Sequence, residues 1–242
     1  MNVSAFDLFK LGVGPSSSHT MGPMTAAGRF LAWLGGDVGR TARVVTTLYA
    51  SLALTGRGHA TDRAVILGLA GFAPRTLDPD AADAALAAIR TGGRLALGGS
   101  GREIAFDEAA DLVWAGRERL PQHPNALRFA ALDAGGAEIA ARTYFSIGGG
   151  FVRDEDEINL NAAPDRAIPA PYPFDSGEAL LLQARAAGLS IAELMRANEQ
   201  MLRSDAEIDA GLAHPDQQRR SRQCQRQAGR KAEKQHGQYA RL

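Results

Sequence analysis

Two histidines stand among hydroxyl groups and glycines in a pattern that a packed core would not favour. Residues 14–23 read GPSSSHTMGP, so Ser16, Ser17, Ser18, His19 and Thr20 form an unbroken polar run ahead of a helix with Pro23 in its first turn. Hydroxyls beside the unpaired N–H groups of a helix start make a cradle for a carboxylate or phosphate. Ser and Thr are also ordinary helix caps, and a plain capped loop is the competing reading. Residues 55–62 read TGRGHATD, between an expected strand and a helix expected to be capped by Thr61 or Asp62. A helix start disfavours the protonated imidazole, which lets His59 stay neutral and serve as a base. The alternative there is a tight turn carrying a surface histidine. Residues 146–150, SIGGG, follow a further expected strand. Gly148, Gly149 and Gly150 permit positive φ and close ligand contact, or simply a bulge.

Other chemistries find less support. Neither a phosphate-binding G-x-x-x-x-G-K-[ST] loop nor a strand-linked G-x-G-x-x-G is present, which removes the case for a nucleotide site. Ser17, His19 and Asp62 could in principle form a hydrolase triad, but no G-x-S-x-G elbow accompanies them. His123, in PQHPN, reads as a rigid surface-loop residue, and His214 and His236 lie at or in the unusual C-terminal tail. The single cysteine, Cys224, allows no intrachain disulfide and no site built from two or more thiolates of this chain. No metal-ligand set is expected from these residues.

The elements that must hold these loops belong to an α/β (α+β) chain. With 242 residues, 45% hydrophobic and 22% charged, the chain is large enough for one full domain and part of a second. Residues 44–49 are β-branched and aromatic and predict a buried strand. Residues 94–97 and 102–106 flank a glycine-rich turn and predict a hairpin; 128–132 and 138–145 predict a second one. Helices are expected over 23–34, 61–70 and 81–90. Four prolines within 164–174 mark a linker between an α/β domain, 1–163, and the start of an all-helical one, 175–213. Asp175 with Glu178, Ser190 with Glu193, and Ser204 with Glu207 look like helix starts. Ile191, Leu194, Met195, Asn198 and Leu202 give one largely apolar stripe, and Ile208 with Leu212 another, the last helix being stopped by Pro215. Three such helices have little to pack against.

The overall charge of zero conceals an asymmetry. Residues 213–242 hold eight Lys or Arg against Asp216 and Glu233, leaving 19 basic and 25 acidic groups upstream. Seven glutamines and few apolar residues make 214–242 a basic, disordered-looking tail without the aromatics of a nucleic-acid surface. No nucleic-acid or membrane partner is expected. The N-terminus lacks the basic and apolar regions of a signal peptide, and no run of about 18 apolar residues occurs, so a cytoplasmic location is expected.

The segments at 4–24 (SAFDLFKLGVGPSSSHTMGPM), 54–62 (LTGRGHATD), 143–151 (TYFSIGGGF) and 171–174 (PYPF) resemble the bacterial iron-sulfur L-serine dehydratases, or L-serine ammonia-lyases. The likeness runs in order from about residue 3 to about 213, and the first motif is highly specific. The resemblance implies an α/β domain similar to an allosteric substrate-binding domain, followed by an all-helical domain. It implies conversion of L-serine to pyruvate and ammonia, in serine catabolism and gluconeogenesis, with a homodimer as the full-length form. It also implies a 4Fe-4S cluster whose open iron acts as Lewis acid, while its cysteine ligands are absent from this chain. By resemblance His19 and His59 are the catalytic candidates. Ser16, Ser17, Ser18, Thr20, Thr61, Asp62, Gly148, Gly149 and Gly150 are candidates for binding substrate. Which histidine moves a proton stays open.

The likeness stops near His214, where the composition changes. A shifted reading frame or truncation of a single-chain dehydratase, inactive alone, is the expectation that accounts for both. Two alternatives stand beside it: a β subunit of a two-chain dehydratase, and a serine-binding module without catalysis. The helical start at 175–213 speaks against the β subunit.

Overall fold

The computed structural model describes Ser4, Phe6 and residues 12–98, 100–159 and 170–212. These fall into two compact units. One lies within Leu11–Leu160; the other combines Ser4 and Phe6 with 170–212. The expected tail at 214–242 and most of the proline-rich linker lie outside the described residues.

The larger unit is built on a five-stranded mixed sheet. Its strands are β1 (Arg43–Tyr49), β4 (Leu112–Ala115), β5 (Ala126–Leu132), β6 (Glu138–Gly148) and β7 (Phe151–Asp154). They lie in the order β4-β1-β5-β6-β7, with β1 and β4 parallel and every other pair antiparallel. A separate hairpin joins β2 (Arg94–Ala96) to β3 (Glu103–Ala105). The run at 44–49 and both expected hairpins are therefore present. Along β1 burial alternates, with Val44, Thr46 and Leu48 inside, as the two-residue period of a strand with one core face requires.

Helices α1 (Gly22–Leu34), α3 (Thr61–Leu69) and α4 (Pro79–Gly92) match the three expected ones. Asp78 starts α4 by accepting from the N–H groups of Asp80 and Ala81, and Pro79 fits the first turn because its missing N–H is not needed there. The core joins α1 to the sheet. Phe30 stacks on Phe129 with ring centroids 5.1 Å apart, and Phe129 meets Tyr144 edge-on at 6.0 Å. All three rings are buried, each side chain contributing roughly 1.5–3 kcal/mol or somewhat more of hydrophobic stabilisation.

Two further strands, β4 and β7, and three short helices, α2 (Ala50–Thr55), α5 (Glu108–Asp111) and α6 (Glu155–Asn159), escape the sequence reading. Helix α2 corrects one expectation: the 55–62 segment follows a short helix, not a strand. Arg29 then ties α1 to the β7 edge of the sheet. It donates to the Val152 carbonyl at 2.7 Å and pairs with Asp154 at 3.3 Å and Glu157 at 2.7 Å.

In the smaller unit, α7 (Gly177–Ala187), α8 (Ile191–Glu199) and α9 (Asp205–Leu212) follow one another. Ser190 and Glu193 form a complete capping box, and Ser204 with Glu207 makes the same exchange. At the first helix the cap is Ser176, accepting from Ala179, where Asp175 was expected. The stripes are only partly buried: Leu194, Asn198 and Ile208 are inside, while Ile191, Leu202 and Leu212 are exposed. Buried Glu199 is held by Arg203 at 2.7 Å and by the Ser4 hydroxyl at 3.0 Å, so its charge is compensated.

Candidate active site

The polar run at 16–20 is folded as a wide π-helical turn, Ser17–Met21, leading directly into α1. Such insertions are rare and cluster at functional sites. Ser16 caps it: its Oγ accepts the His19 N–H at 3.2 Å, and its carbonyl accepts the Thr20 N–H at 3.0 Å. Ser17 contributes its carbonyl to the Gly22 N–H. Ser18 Oγ lies 2.9 Å from His19 Nδ1 and 3.4 Å from Ser16 Oγ.

His59 ends a 3₁₀ turn, Gly56–His59. Arg57 in that turn lies 4.9 Å over the Trp114 ring and fastens it to β4. The fold brings the two imidazoles together, with centroids 4.9 Å apart and planes tilted by 42°. Two threonines lock them in place. Thr20 Oγ1 donates to the His59 carbonyl at 2.8 Å, and Thr61 Oγ1 donates to the His19 carbonyl at 2.6 Å. Each threonine is buried.

The rings differ in what their nitrogens can do. His59 Nδ1 is 2.9 Å from the Thr55 carbonyl, which can only accept, so Nδ1 carries a proton. In the neutral ring Nε2 then keeps its lone pair, and no protein group among the described residues engages it. His19 has both nitrogens engaged, Nδ1 with Ser18 and Nε2 with Ser51 Oγ at 3.1 Å. Burial lowers the His19 pKa below the ordinary histidine value and the charge of His59 lowers it further, offset in part by a hydrogen bond to the Ser51 backbone.

The start of α3 differs from the expectation. Neither Thr61 nor Asp62 caps α3: the N-cap is Ala60, in the left-handed region at φ 55°, with no side-chain cap. The Thr61 hydroxyl is spent on His19 instead. Asp62 pairs with Arg90 at 2.9 Å, which also holds Glu108, so its carboxylate braces α3 against α4. Gly148, Gly149 and Gly150 turn β6 into β7 with φ of 98°, 59° and 72°, values that only glycine adopts without strain. They enter the neighbourhood through Ser146. A methyl group at Gly22 would overlap Ser146 Oγ, so the end of β6 lies directly against the start of α1. Ser146 is fully buried and its Oγ has no hydrogen-bond partner among the described residues. His123 accepts the Asn125 N–H at 3.1 Å, in a loop whose Pro124 and Asn125 carbonyls bind the Ser51 and Ser146 N–H groups.

Ser51 and Ser146 are the residues that sequence reasoning missed. Ser146 lay inside a noted motif; Ser51 lies in an unremarkable YASLAL run with no turn or cap signal.

Two imidazoles 4.9 Å apart among five hydroxyl side chains can hold and pass a proton beside a small polar ligand. The family described as serine dehydratase beta chain matches residues 4–157, and the chain belongs to it. The chain is 46% identical over 214 residues to an L-serine dehydratase of Streptomyces coelicolor, covering 88% of this chain and 47% of the relative. It is 43% identical over 213 residues to L-serine dehydratase TdcG of Escherichia coli K12, covering 87% and 46%. Against an L-serine dehydratase of Helicobacter pylori J99 the figures are 39% over 201 residues, 83% and 44%. The chain thus spans just under half the length of these curated relatives.

The iron-sulfur cluster implied by the resemblance needs several thiolates. The one cysteine, Cys224, lies outside the described residues, and among these no group of three or more His, Cys, Asp or Glu could hold a metal ion. The donors around His19 and His59 are imidazole, hydroxyl and carbonyl groups, which do not fit such a cluster. No helix among the described residues is long and apolar enough to cross a membrane.

Proposed function

We propose that this chain supplies the serine-binding and proton-handling part of an L-serine ammonia-lyase. The observation that supports it is the clamped imidazole pair, 4.9 Å apart, with one ring nitrogen open on His59. The substrate carboxylate is recognised by the hydroxyl and N–H groups of Ser16, Ser17 and Ser18. His59 Nε2 removes the α-proton, and that proton passes to the β-hydroxyl, which departs as water as the Cα=Cβ bond forms. The resulting enamine tautomerises to an imine, which water hydrolyses to pyruvate and ammonia, so overall one serine gives one pyruvate and one ammonia. Thr20 and Thr61 keep the rings in register, and Gly148, Gly149 and Gly150 let backbone approach the ligand.

A Lewis acid for the departing hydroxyl, a 4Fe-4S cluster by family resemblance, would have to be held by ligands other than the described residues. No role given to the residues above depends on it. A cytoplasmic homodimer feeding serine carbon toward gluconeogenesis belongs to the same proposal and rests on the family alone. Because the matching family is that of a beta chain, a two-chain assembly is the second reading.

The test is addition of L-serine to the purified chain while the histidine ring signals are followed by NMR. Movement of the His19 and His59 signals is expected; saturating serine that moves neither ring overturns the proposal. Anaerobic reconstitution with iron and sulfide then separates the readings. Cluster absorption with pyruvate means a self-sufficient lyase, and serine binding without pyruvate means a binding part that needs a partner.

A further inference from the structure

We propose that His123 is a positioning residue: its unprotonated Nδ1 closes the turn through which the loop between β4 and β5 holds Ser51 and Ser146 in place, and protonation of the ring opens that turn. Its bearing on catalysis rests on the functional reading above, while the turn itself is measured without serine.

The state of the ring follows from which group donates. The Asn125 N–H donates to His123 Nδ1 at 3.1 Å. A backbone N–H has only a proton to offer, so Nδ1 meets it with a lone pair and the neutral ring carries its own proton on Nε2. The imidazolium has an N–H at both positions, which sets donor against donor and breaks the bond. An asparagine side chain makes the same bond to the N–H two residues on, so the contact is the histidine version of an Asx turn. Pro124, between the two, has a fixed φ that keeps the turn narrow.

Bonds from this loop reach two distant segments. The Ala50 N–H donates to the Glu118 carbonyl at 2.9 Å and the Ser51 N–H to the Pro124 carbonyl at 3.2 Å. The Ser146 N–H donates to the Asn125 carbonyl at 2.9 Å, and Asn125 Nδ2 donates to the Ser146 carbonyl at 3.2 Å. The first pair pins a strained point. Ala50, at the start of α2, sits at φ 39°, which is costly for a residue with a Cβ and persists where surrounding bonds enforce it. Ser51 follows directly, with its Oγ 3.1 Å from His19 Nε2. The second pair fixes the end of β6, where Ser146 lies against Gly22 at the start of α1. All but the Glu118 bond involve Pro124 or Asn125, the residues that the His123 contact folds.

Burial lowers the His123 pKa below the ordinary 6.5, with no contribution from Glu118 or Arg119 in the loop, or from Tyr49, Arg128, Tyr144 and His19 on the elements around it. Helix α2 carries no titratable side chain. The turn is therefore closed above the histidine range and opens as pH falls through the lowered value of the folded chain.

The experiment is NMR of the 15N-labelled full chain as wild type, His123→Ala and His123→Asn, the last keeping an acceptor for the Asn125 N–H without a titrating ring. Long-range 1H–15N correlation is expected to show His123 bare at Nδ1. At about pH 8, above the histidine range, His123→Ala is expected to lower the exchange protection of the Ser51 and Ser146 amides by about two- to tenfold, the worth of one net hydrogen bond. It also shifts the His19 Nε2 signal, and His123→Asn restores both. In His19→Gln, which removes the neighbouring titration, the Ser51, Asn125 and Ser146 amide signals move together as His123 titrates; adding His123→Asn abolishes that movement. His123 protonated at Nδ1 while neutral, amides that ignore its titration, or His123→Ala indistinguishable from wild type overturns the inference; if His123→Ala does not fold, the titrations decide it. L-serine is then added at about pH 8. Amides coupled to His123 without any serine response at His19 or His59 sink the functional reading alone, whereas a serine response with amides blind to His123 sinks this inference alone.

Discussion

The Thr61 hydroxyl donates to the His19 backbone carbonyl at 2.6 Å, while one residue beyond His19 the Thr20 hydroxyl donates to the His59 carbonyl at 2.8 Å. Each histidine is thus gripped by a threonine from the other's segment. The separation of the rings is set by two crossed bonds between buried groups, 42 and 39 residues apart in sequence.

Removing either grip strands a carbonyl. Thr61→Val and Thr20→Val keep the shape and lose the donor, and each should lower stability by about 1–3 kcal/mol. The double variant should lose less than the two singles together, by about 0.5 kcal/mol or more, because both bonds join the same two segments. Urea denaturation measures this. Strict additivity would mean that the clamps act independently.

Burial and the charge of His59 lower the His19 pKa from 6.5. Above pH 6.5 the ring is neutral whether folded or unfolded, and its contribution to stability is complete. As pH falls below 6.5 the unfolded chain takes up the proton first, so stability declines until the lower folded value is passed. His123, also lowered by burial, adds a decline of the same sign. The urea midpoint should therefore fall from about pH 7.5 to about pH 5, across the histidine range, and His19→Gln should flatten the decline. An unchanged slope in that variant would contradict the assignment.

Gly22 and Ser146 compete for one volume. Gly22→Ala should cost about 1–3 kcal/mol by overpacking. Ser146→Ala should be neutral or stabilising, since it deletes a buried hydroxyl that has no protein partner. Combining the two should recover part of the Gly22→Ala loss. Thermal melts of the three variants provide the comparison, and equal losses for Gly22→Ala with and without Ser146 would refute the contact.

Asp62, a candidate for binding substrate, pairs with Arg90 and braces α3 against α4. Its pairing with Arg90 is partly exposed, so Asp62→Asn should cost under about 1 kcal/mol. Titration of the variant with L-serine should give the wild-type affinity. A tenfold weakening would return the carboxylate to the ligand.

The sequence made the local elements plain and the long-range ones obscure. β1, both hairpins, α1, α3 and α4 declare themselves through β-branched runs, glycine turns and caps, all set by neighbours in sequence. The four residues of β4 are a strand only because β1 lies beside them, with Thr46 opposite Leu112. In the site, the cluster at 16–20 and His59 stood out by composition. Thr61 looked like a cap because its hydroxyl precedes a helix, and only the folded chain shows that hydroxyl turned to a distant carbonyl. Ser51 carried no local signal; its position comes from a strained turn and a loop some 70 residues further on.

The two outermost strands of the sheet, β4 and β7, are four residues each. An outer strand exposes unpaired backbone groups that invite a foreign strand to join, and shortness is one of the ordinary defences against that. Here both rims are stubs. The longest strand, β6 with 11 residues, lies between β5 and β7. Runaway stacking of copies through this sheet is therefore disfavoured by its own outline, and the fold can keep an open, polar site at its strand ends without becoming a seed for fibres.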